Sequence, residues 1–308
     1  MRFYISTFLS LSYGLIVAQN ATLTSASLNK VEARCIGPAV MGGRITAIDG
    51  VENDPRILYV GCAGGGIWKT TNGGSEFKSI FDKHCQSIGA IAINQKNPEE
   101  VWVGTGESNM RNTVSVGNGV YKTTDGGENW TFMGLPNSEH ISKVVIHPQN
   151  LNTVYVAVVG KLWGNSSERG LYKTTDGGKN WQRILFVNDS TGCADFIMNP
   201  NNPDILYASM WQVRRKPYAF ASGGPGSAIM KSTDGGATWK KIQKGLPAGD
   251  IGRAALAIAP SSPDKLVMIV ESKKTSLFLT TDAGETWVEQ GADDNVCARP
   301  FYFSCLAI

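Results

Sequence analysis

At 308 residues, 42% of them hydrophobic, the chain can bury one large core or two ordinary ones. Its formal charge of +3 is small and scattered, without the dense basic stripe that a phosphate backbone demands, which argues against nucleic acid as a partner. His84, His140 and His147 and the six cysteines (Cys35, Cys62, Cys85, Cys193, Cys297, Cys305) show no HExxH, CxxC or clustered spacing, so no metal and no cofactor are expected. The cysteines fit either disulfide partners or small buried apolar residues.

Arg2 followed by the apolar run Phe3 to Val17, with cleavage expected near Ala18 or Gln19, has the form of a secretory signal over residues 1–19. It is short for a hydrocarbon core of about 30 Å. The expectation is a secreted, periplasmic or cell-surface protein whose mature chain has no membrane span. Residues 20–34 form an N-terminal segment.

From residue 35 onward the chain repeats itself. Five segments align without gaps: Thr70-Thr-Asn-Gly-Gly-Ser-Glu-Phe77, Thr123-Thr-Asp-Gly-Gly-Glu-Asn-Trp130, Thr174-Thr-Asp-Gly-Gly-Lys-Asn-Trp181, Ser232-Thr-Asp-Gly-Gly-Ala-Thr-Trp239 and Thr280-Thr-Asp-Ala-Gly-Glu-Thr-Trp287. Their closing aromatics lie 48 to 58 residues apart, the period of one supersecondary unit. The carboxylates of Asp125, Asp176, Asp234 and Asp282, and the amide of Asn72, can accept backbone N–H groups within the turn. The glycines allow positive φ, and Phe77, Trp130, Trp181, Trp239 and Trp287 can close the hairpin as plugs. Ala283 stands where the other copies have glycine. These positions fold the repeat and carry no catalysis.

Short strand-like runs surround each box. In the second unit they are Ile88–Ile93, Val101–Gly104, Gly119–Lys122 and Trp130–Met133, four strands joined by turns. The pattern predicts an all-β propeller of four-stranded blades over 35–308: about 35–83, 84–136, 137–188, 189–246 and 247–290. The run Arg299–Ile308 reads as the inner strand of a sixth blade that stops. Unpaired sheet edges are a liability that closure removes, so the ring is expected to be incomplete and the chain a fragment.

With these boxes the sequence resembles the BNR (Asp-box) repeat superfamily of sialidases, xyloglucan-cleaving propellers and sortilin-type domains. It is most similar to bacterial secreted sortilin N-terminal-domain-like, glycosyl hydrolase-like proteins. Gly42-Gly-Arg-Ile-Thr46, Gly104-Thr-Gly-Glu-Ser-Asn109, Glu168–Gly178, Met210-Trp-Gln-Val-Arg-Arg215 and Arg299–Ser304 carry the likeness, from about Val31 onward. It implies a larger multi-bladed ring. A sialidase-like arginine triad would fall on Arg44, Arg253 and Arg299, although Arg44-Ile-Thr departs from that family's Arg-Ile-Pro. The aspartate of the xyloglucan-cleaving relatives falls on Ala63.

Function is expected on the face opposite the boxes, where loops are long. Trp163, Trp211, Tyr218 and Phe220 can stack on a ligand, and Arg44, Glu107, Arg111, Arg169, Arg214, Arg215, Arg253 and Arg299 can hold polar groups. The leading expectation is a non-catalytic binding propeller for a peptide, protein or glycan. The alternative is a glycoside hydrolase, xyloglucanase- or sialidase-like, whose active site is incomplete here. Glu107 is its candidate catalytic carboxylate, beside Glu168, Glu271 and Asp250.

Overall fold

The computed structural model describes residues 43–292, 298–303 and 305–308. The expected signal segment, residues 20–34, the start of the first blade, Cys35 and Cys297 lie outside them.

Five antiparallel sheets follow in chain order, each built from consecutive strands. The innermost strands are β1 (Ile45–Val51), β5 (Ile88–Ile93), β9 (Ile141–Ile146), β13 (Thr191–Met198) and β18 (Ala254–Ala259). Each pairs with a second strand: β2 (Asp54–Cys62), β6 (Val101–Thr105), β10 (Val154–Val158), β14 (Leu206–Lys216) and β19 (Ser262–Val270). Third strands β3 (Ile67–Thr70), β7 (Val120–Thr123), β11 (Gly170–Thr174), β16 (Ala228–Ser232) and β20 (Ser276–Thr280) lead into the boxes. Strands β5, β6 and β10 are buried along their whole length, as expected of strands covered on both faces. The arrangement is the expected all-β propeller of four-stranded blades.

Each of the five boxes closes as the sequence predicts. Asp125 Oδ1 accepts the Asn129 N–H at 2.9 Å and the Thr123 hydroxyl at 2.7 Å, and Asp176 repeats this with Asn180 and Thr174. Asn72 does the same through its amide oxygen. Ala283 keeps the left-handed turn despite its Cβ, at φ 56°, and its N–H donates to the Asp264 carbonyl as glycine does elsewhere. The plugs also join blades: Trp130 Nε1 donates to Ile80 O and Trp181 Nε1 to Met133 O, both in the preceding blade. Phe77 remains 40% exposed.

A second repeated contact was not legible in the boxes alone. Tyr59, Tyr155 and Tyr207 on the second strands stand directly across from Lys69, Lys173 and Lys231 on the third. Each Tyr–Lys pair donates to one carbonyl in the next blade's box: Gly126 (3.3 and 2.9 Å), Gly235 (3.1 and 2.9 Å) and Ala283 (2.8 and 2.8 Å). The remaining interface uses Trp102 instead. Its ring meets Trp181 edge-on at 6.3 Å, under the ammonium of Lys122. Apolar clusters fill the four spaces between blades, and the innermost strands are stitched by Thr46 to Ile88 O, Ser142 to Cys193 O, and Asp195 to Leu256 N.

Two sequence expectations need correction. The run from Arg299 forms no inner strand; Pro300–Phe303 is a four-residue helix. Pro300 has no N–H to give a sheet and its fixed φ suits a first helical position, while Arg299 turns the chain at φ 49°. The segment carrying Trp211, Tyr218 and Phe220, expected among the long loops of the ligand face, is a β-hairpin, because β14 continues to Lys216 and pairs back with β15 (Ala219–Ser222). Among the described cysteines, Cys62, Cys85, Cys193 and Cys305 are free thiols.

Two predictions follow from this framework. Tyr155→Phe removes one donor from the Gly235 carbonyl and should cost about 1 kcal/mol, read as a shift in urea midpoint at constant slope. The box hydrogen bonds hold Asp125, Asp176 and Asp234 at about 2, below the ordinary 3.8, and Asp282 lower still. Because the unfolded chain takes up these protons first, their contribution is complete above about pH 5 and disappears as pH falls toward 2. A urea midpoint that stays level from pH 5 to 2.5 would contradict this assignment.

Candidate functional site

The face opposite the boxes carries a cavity of about 560 Å³ lined by Arg44, Met110, Arg111, Asn112, Arg215, Arg299, Phe301 and Tyr302. Its walls come from non-equivalent places in the repeat. Arg44 immediately precedes β1, and residues 110–112 lie in the loop between β6 and β7. Arg215 sits on the extension of β14 beyond its pairing with β13, and the helix 300–303 closes the remaining side.

Glu107 lies behind Arg44 with 1% of its side chain exposed. Gly106 places it: φ is 86°, and a Cβ there would stand 1.8 Å from the Glu139 carbonyl, so only glycine fits. The Glu107 N–H donates to Ser87 Oγ, and both carboxylate oxygens accept from Arg44, one from Nε at 3.2 Å and the other from Nη2. This two-point contact fixes the guanidinium at the cavity wall.

Beneath the cavity, Met110, Val159, Leu162, Ala194, Trp211 and Val213 form a buried cluster against which Phe220 and Phe301 pack. Arg253 braces it. Its Nη1 donates to Asn109 Oδ1 and to the Phe301 carbonyl, both at 3.0 Å, and the guanidinium lies over the Trp211 ring at 5.7 Å. Burial lowers the pKa of this side chain. Glu271 accepts the Arg253 N–H at 2.8 Å and the Ser222 hydroxyl.

The structure therefore sorts the sequence candidates. Arg44, Arg111, Arg215 and Arg299 meet at one cavity, with Glu107 held behind Arg44. Trp211 and Arg169 are fully buried and Arg253 nearly so. Trp211 Nε1 donates to Ser222, and Arg169 spends its guanidinium on the carbonyls of Val159, Lys161 and Gly164. These three, expected to meet a ligand, are built into the scaffold. Their long polar-tipped side chains look the same in a sequence whether they point out or brace a loop. The arginine triad of Arg44, Arg253 and Arg299 is likewise not assembled at the cavity, since Arg253 faces Asn109 and Phe301.

Trp163 and Tyr218 are exposed but do not line the cavity, and Arg214 reaches Asn165. Glu168 accepts from Ser167. Asp250 borders a different hollow of about 610 Å³ on the flank of the fifth blade, where Lys274 is already paired with Glu289. Sequence reading missed Met110, Asn112, Phe301 and Tyr302. It also missed His140, fully buried near Glu107 and Arg169, whose pKa burial lowers to about 4. Its signal was available only as a lone histidine in the loop between blades.

Comparison with known proteins bears on what this face does. Residues 65–212 match the family model described as Sortilin, neurotensin receptor 3 (Sortilin-Vps10). A probable oligoxyloglucan-reducing end-specific xyloglucanase of Neosartorya fischeri is 26% identical over 64% of this chain and 26% of its own length. A xyloglucanase of Acetivibrio thermocellus is 26% identical over 72% of this chain and 28% of its own. The chain thus spans about a quarter of the length of these curated relatives.

Among solved structures, a GH74 enzyme from Niastella koreensis superposes with a TM-score of 0.59 at 20% identity, over 80% of this chain and 38% of that one. The GH74 xyloglucanase of Xanthomonas campestris gives 0.59 at 16%, over 84% and 40%. At such identities these two establish the shared fold.

These relatives overturn the expectation of a non-catalytic binding propeller. The reason for the miss is physical: hydrolytic carboxyls sit singly on loops and leave no period or spacing, whereas the boxes do. The chain is a β-propeller of five four-stranded blades, similar in its middle to sortilin-type domains and along most of its length to xyloglucanases.

Proposed function

We propose that this chain belongs to an exported glycoside hydrolase that holds and cleaves a polysaccharide on its loop face. The similarity to xyloglucanases across most of the chain carries the reading, and the cavity on the loop face supports it. Cleaving a glycosidic bond takes two carboxyl groups, one donating a proton to the leaving oxygen and one acting on the sugar carbon or on water. Two carboxyls on this face are held in place beside the cavity wall and floor: Glu107 on Arg44, and Glu271 on the Arg253 backbone. We assign them as the pair to test. Tyr302 supports the glycan reading, since its ring borders the cavity where a sugar can lie against it. Export rests on the form of residues 1–19. Among the described residues, no helix is long and apolar enough to cross a membrane.

Reducing-end release from xyloglucan and a panel of other polysaccharides tests the hydrolase. Glu107→Gln or Glu271→Gln should lower turnover by about 10²-fold or more, the usual scale for losing a general acid or base. Retention on a polysaccharide gel should survive both changes. Absence of release from every polysaccharide by the unmodified chain would sink the hydrolase. Wild-type turnover in both variants would sink the carboxyl assignment.

Arg44→Ala gives a separate structural check. It strands the Glu107 carboxylate without its guanidinium and should destabilise the fold by about 2 kcal/mol in urea unfolding. A stability change within about 0.5 kcal/mol would show that the pair contributes little.

A further inference from the structure

The charge around the cavity narrows the substrate beyond the polysaccharide reading, on which this inference rests. Four guanidinium groups, Arg44, Arg111, Arg215 and Arg299, border one space of about 560 Å³. Among the described lining residues there is no carboxylate, and among the described ion pairs only Arg44 of the four has an acidic partner. Arg44 and Glu107 cancel to first order, which leaves Arg111, Arg215 and Arg299 as a positive set with no ion-pair partner among the described residues.

Two of these three are oriented. Arg111 lies over the Tyr302 ring at 5.9 Å with Nη1 3.5 Å from its hydroxyl. Arg215 lies over Phe220 at 5.1 Å, and its Nε is buried with no hydrogen-bond partner among the described residues. Stacking on rings uses the faces of these guanidiniums and leaves edge N–H groups to donate in plane. A buried guanidinium N–H without an acceptor is costly, and an incoming anionic oxygen would satisfy it. Like charges gathered in a concave site repel one another and gain from a counter-charge. Met110, Phe301 and Tyr302 add apolar and aromatic surface suited to a sugar ring beside the charged group.

We propose that the cavity binds an anionic saccharide, a sugar carrying a carboxylate or sulfate group, with Arg111 and Arg215 gripping the anion and Arg299 completing the positive wall. A neutral glucan leaves these guanidiniums without acceptors and should bind more weakly.

Calorimetric titration of the full chain with three probes decides this: trigalacturonate, a sulfated galactan oligosaccharide of similar length, and a neutral xyloglucan oligosaccharide. The expected result is at least a ten-fold preference for one of the anionic probes, and which of them wins names the anion. Methyl esterification of the trigalacturonate should erase its preference. Raising NaCl from 50 to 500 mM should weaken the anionic probe and leave the neutral one nearly unmoved. Arg215→Gln should shrink the anionic-to-neutral ratio by about ten-fold; should that variant fold poorly, the ester and salt arms on the unmodified chain still decide. Equal or tighter binding of the neutral probe overturns the anionic assignment and leaves the polysaccharide reading standing. Failure of all three probes to bind overturns both.

Discussion

The architecture depends on one box carbonyl at three of the four interfaces between blades. The residue directly after the aspartate position of a box takes no part in the sheet ladder. Instead, at Gly126, Gly235 and Ala283 its C=O accepts from a tyrosine hydroxyl and a lysine ammonium of the preceding blade. A sheet of four short strands has two apolar faces and cannot bury both alone. Fixing each sheet to the next through a polar contact at the outer turn sets the angle at which their faces meet. The apolar clusters then fill a space whose shape is already decided. The lysine also lies over its tyrosine ring, at 5.1 Å for Lys69 and 5.2 Å for Lys173, so one ammonium serves both contacts.

Pinning the sheets at the box face leaves the other face free to vary. There the second strands can run on, as β14 does to Lys216, or release a loop such as 106–119. That freedom is limited by Arg253, which draws Asn109 and the Phe301 carbonyl onto one guanidinium. A nearly buried cation of this kind needs its donors met, and the two acceptors come from segments about 190 residues apart in sequence. The loop of the second blade and the terminal helix are thereby brought to the same cavity. The scaffold residue is as necessary to the site as the residues that line it.

What was legible in the sequence follows from this division. The boxes repeat, so five copies averaged out the odd substitutions at Asn72, Phe77 and Ala283, and the five four-stranded blades could be read from them. The Tyr–Lys clamp was also periodic. Lys69, Lys122, Lys173 and Lys231 each immediately precede the first hydroxyl residue of a box, and the fifth copy has Leu279 there. It escaped notice because a lysine beside a turn ordinarily reads as a solvated charge. The tail misled for the opposite reason: the consecutive aromatics Phe301, Tyr302 and Phe303 look strand-like, yet Pro300 removes a ladder donor and starts a helical turn.

The cavity residues had no period to betray them. Arg44 precedes a first strand, Arg111 follows a second strand, Arg215 extends another, and Arg299 lies beyond the fifth blade. No two occupy equivalent positions in the repeat. A ring of near-identical units can hold a single site only by breaking its own symmetry, and it does so where the packing between blades is least constraining. The same separation explains why candidates chosen by residue type were split between lining and scaffold. Arg169 and Arg253 satisfy backbone and amide oxygens inside the molecule, whereas Arg111 and Arg215 stack on rings and border the cavity. Identical side chains thus do opposite work according to whether the chain itself provides their acceptors.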